Sequence, residues 1–280
     1  MNPPILPTFY EYGNPQGLPL VLIHGGAGGT WAWDETVKFL GDFNCLLPEL
    51  PEHGRNQSNG RFTVASAAES ILRFIQERVP GGKAHVCGLS VGGQVLVEML
   101  ARAPETVLSA VISGAQLLPV PGYRLGIYSE TAMSLVYWLG IAPWKHNDAW
   151  IRWNMRTSTG IPDRYFKPFK SNFQALTRDG WAHVMSENYS YRAPAGLEKA
   201  NLPVLLIAGP HEAIDILPTN RLLKSLLPNS RSVLVGQGKD WSAAREHNWP
   251  FTDPELCAAT LRAWALGQSL PPGLVDFPAS

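Results

Sequence analysis

Cysteine and surplus charge are both scarce in this chain. Its 280 residues include three cysteines, and 23 Lys and Arg residues balance 23 Asp and Glu residues. Cys45, Cys87 and Cys257 are odd in number, widely spaced and embedded in apolar sequence, which is typical of reduced core thiols and argues against a disulfide framework or a zinc site. Lys and Arg form no run longer than a pair, so the basic footprint of proteins that bind nucleic acid or an acidic membrane surface is missing.

Long apolar runs are missing too. No window approaches the roughly 20 apolar residues that a membrane span needs. The N-terminal stretch MNPPILPTFYEYGNPQG has no basic region followed by an apolar run, as a secretory signal would. His, Cys, Asp and Glu do not cluster at metal-ligand spacing. We therefore expect a soluble, cytoplasmic monomer or homodimer that acts on a small molecule without a metal or other cofactor.

Short apolar runs alternate with amphipathic stretches along most of the chain. The apolar runs span residues 19–25, 43–50, 84–88, 108–115, 203–209 and 232–238. The helical patterns span residues 31–41, 62–79, 92–103, 217–227 and 253–265. Asp253 and Pro254 suit the cap and first turn of the last helix. Because runs that are apolar on both faces are typical of parallel strands covered by helices, the alternation predicts an α/β fold with a doubly wound, mostly parallel central sheet.

The alternation breaks in the middle of the chain. We expect residues 1–119 and 201–280 to form the core, residues 120–200 to form an inserted, mainly helical cap, and the Pro-rich residues 268–280 to end as an extended tail. The insertion contains Trp138, Trp144, Trp150, Trp153 and Trp181. Such side chains more often pack internally than bind ligands, but Trp138 and Trp153 are candidate substrate contacts and would favour an apolar or aromatic substrate.

A serine stands at one predicted junction between a strand and a helix. The stretch HVCGLSVGGQV places Ser90 between Gly88 and Gly92, and a sharp strand-to-helix turn needs such small residues on either side of the serine. This turn would expose the Ser90 hydroxyl and aim the Val91 N–H, at a helix N-terminus, toward developing negative charge. A glycine-rich turn with an idle serine is the alternative.

A glycine loop follows the first strong strand. The stretch LIHGGAGGTWAW can turn the Gly26 N–H toward the same place as that of Val91, and two such donors would stabilise an oxyanion. A phosphate-binding loop is the alternative, but the GxGxxG spacing and the Walker lysine are both absent.

These motifs resemble those of the α/β-hydrolase superfamily. The similarity covers nearly the whole chain outside residues 120–200 and rests on the HGG loop, the GLSVGG elbow and the stretch LPELPEHGRNQS, which is similar to the family's D-x-P-G-H-G-x-S. The resemblance implies a catalytic triad in the chain order serine, acid, histidine. Glu49 and Glu52 stand where the family usually has Asp and Gly, so neither receives a catalytic role, and His53 is expected to brace its loop.

The resemblance implies that His247 is the triad histidine. The family places this residue soon after the last strand, where this sequence instead has VGQGKDW with Lys239 and Asp240. In REHNWPFTDPELC, His247 precedes the final helix at a spacing similar to the family's H-x-W ending. A lengthened loop would still deliver His247 to the site. A structural histidine on that loop is the alternative.

Two carboxylates compete for the acid's position. Aligned without a gap, GPHEAIDILPTNRLLKSLLPN is similar to the family's G-x-x-D…LP-N segment and places Glu212 on the acid, where a glutamate can accept the histidine Nδ1–H. Asp215, three residues further on, either serves in a tighter turn or caps the helix that begins near Pro218. Asp240 and Glu246 are weaker candidates on the histidine's own loop.

The leading hypothesis is a cofactor-free serine hydrolase of a carboxylic ester or lactone. Ser90 attacks, His247 carries the proton, and Glu212 orients the histidine, while the N–H groups of Gly26 and Val91 bind the oxyanion. Cleavage of an amide, thioester or carbon–carbon bond by the same triad is an alternative, since no residue distinguishes these bonds. A ligand receptor that keeps the fold with little turnover is an alternative from a different class.

Overall fold

An eight-stranded sheet forms the centre of the molecule in a computed structural model that describes residues 6–57, 60–213, 215–236 and 241–278. The strands are β1 (Phe9–Gly13), β2 (Pro19–Ile23), β3 (Asn44–Pro48), β4 (Ala84–Leu89), β5 (Val107–Ser113), β6 (Val204–Ala208), β7 (Ser230–Leu234) and β8 (Val275–Asp276). They lie in the order β1-β3-β2-β4-β5-β6-β7-β8. The six inner strands run parallel, and β1 and β8 pair antiparallel at the two edges. The predicted mostly parallel α/β sheet is confirmed.

Each of the six predicted apolar runs overlaps one of the strands β2 to β7. Every residue of β3, β4 and β6 is buried, as expected where helices cover both faces of a parallel sheet. The two edge strands were not predicted. No residue of β1 is fully buried, so its apolar signal is weak. The two residues of β8 are exposed and lie in the segment expected to be an extended tail, which therefore ends in a short paired strand.

Helices cover both faces of the sheet. The α-helices of the described ranges are α1 (Val64–Arg78), α2 (Val91–Arg102), α3 (Glu130–Val136), α4 (Asp148–Asn154), α5 (Phe166–Ala175), α6 (Arg178–Ser190), α7 (Ile216–Leu226), α8 (Ala243–His247), α9 (Trp249–Thr252) and α10 (Pro254–Ala265). Asp253 caps α10 as predicted, since its carboxylate accepts from the Leu256 N–H at 3.0 Å. None of the helices in these ranges is long and apolar enough to cross a membrane.

The helix predicted over residues 31–41 is wrong. This segment forms two single 3₁₀ turns, Thr30–Trp33 and Thr36–Phe39, and neither has a side-chain cap. Trp33 and Thr36 are both fully buried. The segment therefore lies along the core and does not form one amphipathic helix with a single apolar face.

The core consists of two apolar layers, one on each face of the sheet. Strand β2 divides its side chains between them, with Val21 and Ile23 in the layer under α1 and α2 and Leu20 and Leu22 in the layer under α10. This division follows from the alternation of side chains along a strand. The three cysteines are free and buried, as predicted.

The insertion, residues 120–200, lies between β5 and β6 and has only helical elements. Helices α3 and α4 each continue into a π-helical turn, Tyr137–Ile141 and Met155–Thr159. The insertion contributes side chains to both apolar layers, so it packs against the rest of the protein on both faces of the sheet. These include Ile151, Met155, Phe169, Phe173 and Val184.

Helix α2 crosses the strands so closely that a glycine is required at the contact. A Cβ atom added at Gly88 would lie 2.2 Å from the Gly92 carbonyl oxygen, a backbone atom that cannot move aside. We expect Gly88→Ala to lower the free energy of unfolding by about 3 kcal/mol, measured by urea denaturation. Gly41→Ala is the matched control, because no atom lies within 4 Å of its added Cβ. Equal unfolding midpoints for both variants would contradict this account of the crossing.

Candidate active site

Ser90 occupies a strained turn between β4 and α2. Its φ of 57° and ψ of −117° lie in a region that side-chain-bearing residues rarely adopt. The Ser90 N–H donates to the Ser113 carbonyl at 2.8 Å, and the Ser90 carbonyl accepts from Gly93 N–H at 2.8 Å, so both sides of the turn are fixed. The side chain is half-buried. The predicted sharp turn is therefore present and presents the serine at the carboxyl end of β4.

The glycine loop lies directly against this turn. A Cβ atom added at Gly26 would come within 2.8 Å of Val91 Cγ2, so the two predicted oxyanion donors are neighbours. Val91 is the first residue of α2, and its N–H therefore has no intrahelical acceptor. The insertion reaches this place too: Val184 Cγ1 would lie 3.0 Å from the same added atom, and Asn172 Nδ2 donates to Ala27 O at 2.6 Å.

Two buried histidines hold the glycine loop. His24 accepts from the Leu50 N–H through Nε2 at 3.2 Å, and His53 accepts from the Ala27 N–H through Nε2 at 3.0 Å. Each ring donates its Nδ1–H to a backbone carbonyl, that of Gly25 for His24 and that of Pro51 for His53, both at 2.8 Å. Burial lowers the pKa of each imidazole to about 4, so both rings are neutral at pH 7. His53 thus braces its loop, as expected.

The two glutamates that depart from the family pattern have contacts away from Ser90. Glu49 accepts from the Thr30 N–H and hydroxyl, at 3.2 and 2.8 Å. Glu52 adopts a φ of 60°, which favours glycine, and its carboxylate accepts from Phe62 N–H at 2.8 Å and pairs with His183 Nδ1 at 2.9 Å. The residue that replaces the family's glycine therefore links the core to α6 of the insertion.

Glu212 and His247 form a hydrogen-bonded pair in which the carboxylate is buried and the imidazole is partly exposed. Glu212 lies in the turn after β6, where Oε2 accepts from the Gly209 N–H at 2.7 Å and Oε1 lies 2.5 Å from His247 Nδ1. The exposed side-chain fractions are 2% for Glu212 and 30% for His247. Burial lowers the pKa of His247, but the hydrogen bond and charge of Glu212, together with the charge of Asp215, outweigh it, and the net pKa is raised above 6.5.

The other candidate acids are placed differently. Asp215 stands at the start of α7 without capping it through its side chain, and within the described ranges its buried Oδ2 has no hydrogen-bond partner. Burial, and secondarily the charge of Glu212, raise the pKa of Asp215. Glu246 bonds to His211. Asp240, like Lys239, lies outside the described residues. Of the described candidates, Glu212 is the one that hydrogen-bonds to His247.

The end of β5 brings the serine and the histidine to one place. Ser113 accepts from the Ser90 N–H through its carbonyl and from Trp249 Nε1 through its hydroxyl, at 2.8 and 2.9 Å. A Cβ atom added at the next residue, Gly114, would lie 2.8 Å from His247 Nδ1. Among the described residues, no hydrogen bond joins the Ser90 hydroxyl to His247. Sequence reasoning missed Ser113 and Gly114, whose only signal was a glycine at a strand end.

The two candidate tryptophans lie at the surface of the insertion. Trp138 and Trp153 are each 58% exposed, and their ring contacts are with Tyr137 and Trp150. None of these contacts involves the residues around Ser90. Within the described ranges no group of three or more His, Cys, Asp or Glu side chains is arranged to hold a metal ion.

The neutral histidines make stability depend on pH. Because their pKa is about 4 in the folded protein and about 6.5 when unfolded, the unfolded chain binds more protons as pH falls from 6.5. The free energy of unfolding should therefore fall between pH 6.5 and 4, by roughly 3 kcal/mol for each histidine, and level off below pH 4. Urea denaturation of wild type and His53→Gln at several pH values checks this. The free energy of unfolding should depend less steeply on pH in the variant, by the equivalent of about one bound proton. Identical pH slopes would contradict the neutral state of His53.

Comparisons with known proteins identify the family to which this fold belongs. Residues 19–244 match the sequence model of the alpha/beta hydrolase fold. An AB hydrolase superfamily protein of Gibberella zeae is 25% identical over 96% of this chain and 88% of its own length, and a pimeloyl-[acyl-carrier protein] methyl ester esterase of Nitrosomonas europaea is 34% identical over 34% of this chain and 36% of its own. A thermophilic esterase of Thermogutta terrifontis, at 18% identity, superimposes with a TM-score of 0.72 over 93% of both chains. The chain belongs to the alpha/beta hydrolase fold family.

Proposed function

We propose that this protein is a serine hydrolase that cleaves a carboxylic ester or lactone through an acyl-enzyme. Ser90 is the nucleophile, His247 the general base and Glu212 the residue that orients it, while the N–H groups of Gly26 and Val91 bind the oxyanion. The observation that carries the proposal is the 2.5 Å contact of His247 Nδ1 with Glu212, which lies beside Gly114. Ser113, the residue before Gly114, accepts a hydrogen bond from the Ser90 N–H, so the histidine and the serine are held next to the same end of β5.

The first half of the reaction forms the acyl-enzyme. His247 Nε2 removes the proton from the Ser90 hydroxyl as the oxygen attacks the carbonyl carbon, and Glu212 stabilises the resulting imidazolium through Nδ1–H. The N–H groups of Gly26 and Val91 stabilise the tetrahedral oxyanion. His247 then gives its proton to the departing alcohol oxygen. In the second half His247 takes a proton from water as the water oxygen attacks the acyl carbon. His247 then returns a proton to Ser90 Oγ as the bond to the acyl carbon breaks and the acid is released.

Carboxylic ester cleavage is favoured among the reactions that one triad supports. The relatives and solved structures that resemble this chain include proteins named esterases. Amide and carbon–carbon bond hydrolysis by the same residues are the alternatives within this class. The receptor hypothesis was motivated by the late histidine and the glutamate in place of aspartate. Those two residues hydrogen-bond to each other, which favours turnover over ligand binding alone.

We also propose that residues 120–200 serve as a cap that shapes the substrate site. Helix α6 brings Val184 against Gly26, and α5 brings Asn172 to the Ala27 carbonyl, so both helices border the glycine loop. An open groove of about 400 Å³ lies where the core passes into the insertion, beside the turn that carries the acid. Its lining is mostly apolar and comprises Leu118, Pro119, Val120, Pro121, Asp215 and Pro218. This apolar lining favours a small, apolar substrate.

Ser90→Ala should abolish the nucleophile without disturbing the fold. We expect kcat for p-nitrophenyl butyrate to fall by roughly four to six orders of magnitude, with an unchanged urea midpoint. The measurement is steady-state hydrolysis beside denaturation of the same preparations. Activity retained within tenfold of wild type would remove Ser90 from the mechanism.

The two carboxylates should differ in their effect on the acid limb of the pH profile. The raised pKa of His247 predicts that kcat/KM falls as pH drops through an apparent pKa above 6.5, where the base becomes protonated. Glu212→Gln should lower both kcat and this apparent pKa, because the burial of His247 then acts with little opposition. Asp215→Asn should cause the smaller change in both. The reverse ranking would assign the acid's role to Asp215.

A further inference from the structure

A second pair of carboxylate and imidazole lies beside the first. His211 Nδ1 lies 2.6 Å from Glu246 Oε1, and the His211 N–H donates to Glu246 Oε2 at 2.7 Å. His211 directly precedes Glu212, and Glu246 directly precedes His247. The turn after β6 and helix α8 therefore each supply one carboxylate and one histidine. Two carboxylate–imidazole pairs join these segments, and the histidine comes from the turn in one pair and from α8 in the other.

Glu246 occupies a slot shaped to hold it. Its side chain is 0% exposed, whereas that of His211 is 71% exposed. A Cβ atom added at Gly209 would lie 2.2 Å from Glu246 Cβ, and one added at Gly236 would lie 2.8 Å from Glu246 Cγ. The side chain thus fills the space between the ends of β6 and β7. Because a buried carboxylate without hydrogen bonds is costly, Glu246 is stable in this slot only while its hydrogen bonds to His211 are kept.

Helix α8 needs such a contact to keep its place. It has five residues, and a helix of this length has little stability of its own in water. On its C-terminal side, Asn248 Nδ2 donates to the Thr159 carbonyl at 2.8 Å and Trp249 Nε1 donates to the Ser113 hydroxyl. The His211–Glu246 pair supplies a further contact directly before His247, on the side of Glu212.

We propose that His211 and Glu246 are positioning residues, which hold α8 against the turn after β6 and thereby aim His247 at Ser90. The inference rests on the proposed function. Neither residue touches the reacting atoms, and both act through the orientation of His247. A base held by the Glu212 contact alone would rotate about it. Because misplacement of a catalytic group weakens the transition state more than it weakens substrate binding, the loss should appear in kcat and not in KM.

The test compares two variants of His211 with wild type. His211→Ala removes the side-chain donor and leaves the backbone bond to Glu246, so the fold should persist. In His211→Asn the amide Nδ2 can take the place of Nδ1 and donate to the carboxylate. Tyr191→Phe is the matched control, because it removes the hydroxyl that donates to another buried glutamate, Glu98, at 2.8 Å.

Four quantities are measured on each protein: kcat and KM for p-nitrophenyl butyrate, the rate of fluorophosphonate labelling of Ser90, and the urea midpoint. We expect His211→Ala to lower kcat and the labelling rate by roughly 10² while KM stays within about twofold. His211→Asn should recover most of both rates. Tyr191→Phe should lower the urea midpoint without changing either rate.

The results that would overturn the positioning role differ from the result that would overturn the proposed function. Wild-type rates in His211→Ala would overturn the positioning role. So would rates in His211→Asn as low as those of His211→Ala, or an equal loss of rate in Tyr191→Phe. Absence of labelling in wild type, with the fold intact, would overturn the proposed function itself and the inference with it.

Discussion

The hydrogen bond between Glu212 and His247 is the interaction on which the candidate site depends. Burial removes water from both groups and disfavours the charged imidazole, so an uncompensated His247 would have a lowered pKa and would be a weak base. The carboxylate reverses that effect. The sheet fixes the position of this carboxylate, because β6 ends at Ala208 and the Glu212 carboxylate accepts a hydrogen bond from the N–H of the next residue, Gly209. Because parallel strands place their carboxyl ends at one edge, the same edge carries Ser90 after β4 and Ser113 at the end of β5.

Histidines serve two opposite electrostatic roles within this one molecule. His24 and His53 are buried with backbone partners, and their pKa values of about 4 keep them neutral, so they act as fixed hydrogen-bonding struts for the glycine loop. His247 is partly buried and faces the carboxylates of Glu212 and Asp215, and its pKa is raised. The difference comes from the partner and not from burial, which acts in the same direction on all three. A histidine that stays neutral keeps its hydrogen bonds across the pH range in which the charge of a catalytic base has to change.

The sequence predicted the parts of the site that depend on local pattern. The elbow at Ser90 needs a strand, a helix and two glycines close together, and all of these can be read from a short stretch. The preference for Glu212 over Asp215 came from the resemblance to the family segment and not from local pattern, because the geometry depends on how the turn after β6 reaches back to Gly209. Gly114 and Trp249 were missed since their contacts join residues far apart in the chain. Helical periodicity misled over residues 31–41, where tertiary packing prevails over local preference.

Labelling with a fluorophosphonate probe tests the central claim most directly. Wild type and His247→Ala are treated with the probe, and intact-mass spectrometry and peptide mapping identify the modified residue. The account predicts one adduct on Ser90 in wild type and none, at the same exposure, in the folded variant, because the serine hydroxyl is a poor nucleophile without its base. An adduct of equal yield in both proteins, or no adduct in folded wild type, would contradict it.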